Sequence, residues 1–138
     1  MLNTKLYKKV HSLAEQLLKA AQKEDVSTFD NLYKELNTLC LENESNEKNH
    51  PVQWETLADF TEDSDEALVL YKKALAFAEE TSAHDYIASI NYAMAVMLKE
   101  CGDNAQALLA VQQANTQLDK IGDSGLQQEI TDLLASLQ

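Results

Sequence analysis

Any chemistry in this chain has to come from a few scattered side chains, and their spacing argues against most of it. The three histidines, His11, His50 and His84, lie far apart. Only His84 has a carboxylate as its neighbour, Asp85. Adjacent residues on a helix point in different directions, so this pair does not form a base with its orienting partner. No glycine-rich phosphate loop, HExxH or CxxC is present. Catalytic residues are therefore not expected, nor metal ligands, nor a cofactor. His84 is expected as a helix-start residue, His50 as a turn or capping residue before Pro51, and His11 on the outer side of the first helix. Cys40 and Cys101 stand among apolar residues without a Cys or His nearby to complete a metal or redox motif. Both are expected as free, buried thiols in a reducing compartment.

The carboxylates are more suggestive. Glu55, Asp59 and Glu62 are spaced four and three apart, which stacks them on one face of a helix, with Asp63 next in line. A cation site would need a rigid oxygen cage, and a helix face without Asn or carbonyl partners does not supply one. The stack is expected to be a solvated acidic face, or the wall of a binding groove.

The formal net charge is −12, unevenly distributed. Residues 1 to 23 hold five Lys against one Glu, whereas residues 42 to 66 hold nine carboxylates against Lys48. All eleven basic residues are Lys, so the planar guanidinium fork that suits phosphate recognition is missing. Nucleic-acid binding, which needs a basic footprint, is not expected. The opening stretch MLNTKLYKKVHSLAEQLL lacks the unbroken apolar core of a signal peptide, and no segment approaches the roughly 18 apolar residues of a membrane span. A soluble, cytoplasmic protein without membrane contact is expected.

Positioning falls to helices. Leu (21) and Ala (17) dominate, while Gly (3) and Pro (1) are scarce, a balance that favours helix over strand. At 138 residues the chain is the size of one domain. Leu6, Val10, Leu13, Ala14, Leu17, Leu18 and Ala21 recur at helical spacing until Glu24-Asp25, and Phe29, Leu32, Tyr33, Leu36, Leu39 and Cys40 mark a second helix. The run from Glu42 to His50 has no apolar residue and ends on Pro51, which suits the first turn of a third helix carrying Trp54, Leu57, Ala58 and Phe60. Ser64 or Asp63 is expected to cap a fourth helix reaching about Glu80, and Thr81 or Ser82 a fifth bearing Tyr86 to Leu98. Gly102 suits the left-handed position after the fifth helix, and Asp103 caps a sixth running to about Leu118 and ending near Ile121. A last helix follows Ser124-Gly125. Seven helices make three hairpins and one helix over, an all-α fold.

Two of these hairpins resemble tetratricopeptide (TPR) repeats. In residues 84 to 121, Ala95 stands at the small-residue position, Leu98 three later, Gly102 at the turn and Ala107 twelve after Ala95, with Val111 and Ala114 following. In residues 51 to 80, Trp54, Leu57 and Ala58 open a unit whose second helix carries Ala67, Leu68, Tyr71, Ala74 and Leu75. Here Ala58 and Ala67 are nine apart, so that unit is shortened by about three residues relative to the family pattern. Residues 3 to 42 are expected as a degenerate first hairpin or an unrelated capping hairpin, and 125 to 137 as a polar-faced capping helix. The alanines would admit close helix approach, with Trp54, Tyr71 and Val111 filling the gaps.

The resemblance implies a single domain, a right-handed superhelix of αα-hairpins, whose concave groove is lined by the first helix of each repeat. Counting from Trp54 places Glu55 and Asp59 on that lining, with Glu62 on the same face; counting from Ala95 places Tyr92, Val96 and Lys99 there. Such a groove would prefer a basic or amphipathic polypeptide segment, as in an adaptor or chaperone-like module. The family mode in which Lys, Asn and Arg clamp a peptide's carboxylate looks unavailable, because Glu55 and Asp59 would repel it and the chain has no Arg. A second expectation is self-assembly, a homo-oligomer in which the basic first helix of one chain meets the acidic middle of another.

Overall fold

The computed structural model describes residues 4–138; Asn3, where the first hairpin was expected to begin, lies outside them. Among the described residues the chain is all-helical, with seven α-helices, one 3-10 turn and no strand. The helices are α1 (Thr4–Gln22), α2 (Val26–Glu42), α3 (Pro51–Asp59), α4 (Ser64–Glu80), α5 (His84–Glu100), α6 (Asn104–Asn115) and α7 (Ser124–Leu137), with the 3-10 turn at Leu118–Lys120. None is long and apolar enough to cross a membrane, among the described residues. The chain divides into two compact units, Met1–Leu70 and Tyr71–Gln138, the boundary falling inside α4.

In the first unit α1 buries Leu6, Val10, Leu13, Leu17 and Ala20, a single stripe at three-to-four-residue spacing. That stripe packs on α2, and α3 lies against both. Leu36, Cys40, Trp54, Leu57 and Ala58 complete this core. The polar run before α3 secures its own backbone. Asn43 Nδ2 donates to the Leu39 carbonyl (2.8 Å), Asn46 Oδ1 accepts from the Lys48 N–H (2.8 Å), and Asn49 Nδ2 donates to the Glu44 carbonyl (2.8 Å). His50 then caps α3, its Nδ1 accepting the Val52 N–H at 3.1 Å, with Pro51 in the first turn.

In the second unit α5 pairs with α6, and α7 packs on both. Ala88, Ile90, Met94, Ala95, Ala107, Val111, Ala114 and Ile130 form its interior. The alanines singled out for close approach, Ala58, Ala67, Ala95 and Ala107, are all buried, as are Trp54, Tyr71 and Val111.

Three inter-helix connections use one hydrogen-bonding scheme. After α1, the Asp25 N–H reaches the Ala20 carbonyl (2.9 Å) and the Glu24 N–H that of Ala21 (3.1 Å); after α4, Ala83 bonds Ala78 (2.8 Å) and Ser82 bonds Glu79 (3.2 Å). After α5, Asp103 bonds Leu98 (2.9 Å) and Gly102 bonds Lys99 (3.0 Å). This is the Schellman closure, which needs a left-handed residue at its centre. Glu24 (φ 56°), Ser82 (φ 54°) and Gly102 (φ 84°) occupy that position. Thr81 or Ser82 was expected to cap α5, but the Ser82 backbone is committed to the turn, the Thr81 hydroxyl donates back to the Phe77 carbonyl, and the N-cap of α5 is Ala83, without a side-chain cap. Asp63 and Asp103 do cap as expected, accepting the N–H groups of Glu66 (3.0 Å) and Gln106 (3.1 Å).

Two further corrections concern termini. Cys40 is buried, but Cys101 is exposed, because it stands at the end of α5, beyond the last turn of the apolar stripe. Leu118, expected on α6, falls in the 3-10 turn, α6 having stopped at Asn115 where Thr116 and Gln117 close the helix with shorter bonds.

Candidate functional site

The turn between α1 and α2 brings the last buried turn of α1 against the start of α2. Asp25 caps α2 by accepting the Thr28 N–H (3.2 Å), and its hydrogen bonds with Thr28 hold the carboxyl below its ordinary range. Phe29, one residue on, meets the Phe60 ring edge-on at 6.3 Å. The adjoining corner is pinned by a hydroxyl pair. Thr61 Oγ1 donates its one hydrogen to the Leu57 carbonyl (2.7 Å), so Tyr33 donates to Thr61 Oγ1 (2.7 Å). These contacts place Glu62 beside the α1–α2 turn.

The result is an open cleft of about 550 Å³ lined by Ala20, Ala21, Glu24, Asp25, Val26, Phe29, Asp30 and Glu62. Its floor is apolar, with Val26 68% exposed, and its polar lining consists of four carboxylates and no Lys. Among the described residues, Glu24, Asp30 and Glu62 make no ion pair. A cleft of this kind is suited to a partly apolar cationic group.

Of the six residues expected in a groove, Glu62 alone lines this cleft. Glu55 is half-buried and Asp59 exposed on α3. Tyr92, Val96 and Lys99 belong to the second unit, on α5. Val96 is half-buried there. Tyr92 is hydrogen-bonded to Glu129 of α7; burial raises its hydroxyl pKa above the ordinary value, aided by that bond and by the carboxylates of Glu129 and Asp132. Lys99 Nζ donates to Ser136 Oγ at 3.3 Å. Tyr92 and Lys99 therefore meet α7 at points seven residues apart on both helices, so α5 and α7 run parallel.

None of the cleft's other members was expected in a binding site, Glu24 and Asp25 marking a helix break in the sequence and Phe29 part of a core stripe. One signal was available: Val26 extends the α2 stripe, three residues before Phe29, to the position directly after the capping Asp25.

The histidines do other work. His84 Nδ1 hydrogen-bonds Gln117 Oε1 at 2.7 Å, tying the start of α5 to the turn after α6 rather than pairing with Asp85. His11, exposed as expected, lies 3.1 Å from Glu15 and stacks on Tyr7. A second cavity of about 380 Å³ lies in the second unit, lined by Asp85, Tyr86, Ser89, Gly122, Asp123 and Leu126. There Asp123 is already engaged as the cap of α7, accepting the Leu126 N–H at 3.1 Å. Among the described residues no cluster of three or more His, Cys, Asp or Glu is arranged to hold a metal ion. Comparison with protein-family models, curated proteins and solved structures gives no match to this chain.

Proposed function

We propose that this chain is a non-catalytic binding module, adaptor or chaperone-like, built of TPR-like helical hairpins, that captures a basic or amphipathic segment of another polypeptide in the cytoplasm. The observation that carries the reading is the cleft at the α1–α2 turn, where an exposed apolar floor meets unpaired carboxylates of Glu24, Asp30 and Glu62. A Lys side chain suits both halves at once, its methylenes covering Val26 and Ala21 while its ammonium reaches the rim. Rim charges of this sort select among partners and speed their encounter more than they add affinity. Cys40, buried, and Cys101, exposed, are not joined in a disulfide, which suits a reducing compartment.

The test is a titration of a labelled amphipathic peptide of Lys and Leu, beside the same peptide with Glu for Lys, followed by fluorescence anisotropy. The Lys peptide binds and the Glu peptide does not, and added salt weakens the complex. Asp30→Lys with Glu62→Lys weakens binding by about tenfold, since neither residue caps a helix or closes a turn. Equal affinity of the variant and the parent chain for the Lys peptide refutes the reading.

A further inference from the structure

Three cations of this chain, Lys5, Lys8 and Lys9, are placed against a local rule. The amino end of a helix is the positive end of its dipole and favours acidic side chains, yet α1 has none in its first turn. It carries instead Lys5 there and Lys8 and Lys9 in the next turn, on one face at three-and-four spacing, all exposed. Among the described residues, none of the three makes an ion pair. The Tyr7 ring, stacked on His11, stands on a different face of the helix. Among the described residues, a basic patch without an ion pair thus sits at one end of α1, and an acidic, apolar-floored cleft without one at the other. Fourteen residues of helix separate Lys8 from Gln22, the last residue of α1 ahead of the cleft, about 21 Å at the helical rise and well beyond the roughly 10 Å over which exposed charges feel one another. The two patches cannot satisfy each other within one chain.

We infer that the cleft receives the amino end of α1 from a second copy of this chain, an inference that rests on the cleft being a binding site for basic segments. The methylenes of Lys5, Lys8 and Lys9 of the incoming helix cover Val26 and Ala21, and their ammonium groups meet the carboxylates of Glu24, Asp30 and Glu62. Because patch and cleft are different surfaces, the contact is head-to-tail and builds a row or a ring rather than a two-fold dimer. The net charge of −12 opposes crowding of copies, which keeps the association reversible.

Sedimentation velocity over a concentration series tests this with two neutral variants. One carries Lys5→Gln, Lys8→Gln and Lys9→Gln and keeps its cleft; the other carries Asp30→Asn and Glu62→Gln and keeps its helix. The parent chain associates progressively, and each variant alone associates about tenfold more weakly. Mixed in equal amounts, the two form a 1:1 complex that does not grow, since only one compatible contact is left. Circular dichroism checks that helix content is unchanged; should the triple variant lose helix, Lys8→Gln alone reads the same effect as a smaller shift. A parent chain that stays monomeric overturns the inference, as does association indifferent to either variant, or a mixture that stays monomeric. A monomeric chain that still binds the Lys and Leu peptide removes the self-association alone and leaves the proposed function standing; failure of both removes both.

Discussion

Replacing a buried polar residue by an apolar one is expected to stabilise this protein at Gln53. Its side chain is fully buried on α3, and no protein group reaches Oε1. The amide makes one bond, Nε2 to Asn49 Oδ1 at 2.9 Å. An orphaned buried acceptor costs about 1–3 kcal/mol, whereas one neutral hydrogen bond contributes about 0.5–1.5 kcal/mol. Gln53→Leu removes both at nearly constant volume. Asn49 Oδ1 is not stranded, because Trp54 Nε1 still donates to it at 2.7 Å, and the Gln53 carbonyl keeps the Cys40 thiol at 3.3 Å. The net expectation is a gain of about 1 kcal/mol. Asn49→Leu has the opposite sign. It strips acceptors from Trp54 Nε1 and Gln53 Nε2 and a donor from the Glu44 carbonyl, costing about 2–5 kcal/mol. The chain's one tryptophan, Trp54, sits beside this network, so urea unfolding followed by its fluorescence reads the first unit directly. If Gln53→Leu lowers stability by more than about 1 kcal/mol, the premise of an unsatisfied amide is wrong.

Burial pushes the His50 imidazole below its ordinary value of 6.5, so folding favours the neutral ring, whose Nδ1 caps α3. The depressed value means that this stability is fully present above pH 6.5 and is lost as pH falls below it. His50→Asn keeps a capping acceptor and flattens that slope in urea midpoints taken across the range. The left-handed turn positions give a pair of opposite sign. Ser82→Gly relieves the strain of a side chain at φ 54° and raises stability by up to about 1 kcal/mol, whereas Gly102→Ala imposes it at φ 84° and lowers stability by about 1 kcal/mol. A Cβ at Gly102 would touch nothing within 4 Å, so thermal melts of that variant report backbone strain alone.

These positions also show what a sequence reader can and cannot see here. Pro51 after a run without apolar residues, Asp63 and Asp103 ahead of helices, and Gly102 after one are short-range signals, and each took the place its local chemistry prefers. Ser82 carried the same kind of signal and misled, because a Ser before a helix favours a cap only when its backbone is free to be extended. At Ser82 and Glu24 the chain must reverse after a fully packed turn, with Ala78 and Ala20 buried beneath it, and the six-to-one bond back to those alanines dictates a left-handed residue whatever its side chain. Packing set the backbone there, not propensity.

The cleft has the same origin. The tight reversal at Glu24 brings Ala20 and Ala21 up to Val26 and Phe29, while the core has room for Ala20 and part of Phe29 only. Val26, the first residue of α2, is left exposed although it stands in register with Phe29, Tyr33 and Leu36. Hydrophobic periodicity does not distinguish such a residue from a buried one, since spacing alone does not tell where the neighbouring helix stops. The acidic stack Glu55, Asp59 and Glu62 was visible by spacing, but α3 ends at Asp59. Glu62 therefore leaves the shared face and turns to the cleft, carried there by the Tyr33 and Thr61 hydroxyls. A helix too short by one turn divides the three carboxylates, and of the three Glu62 lines the apolar-floored cleft.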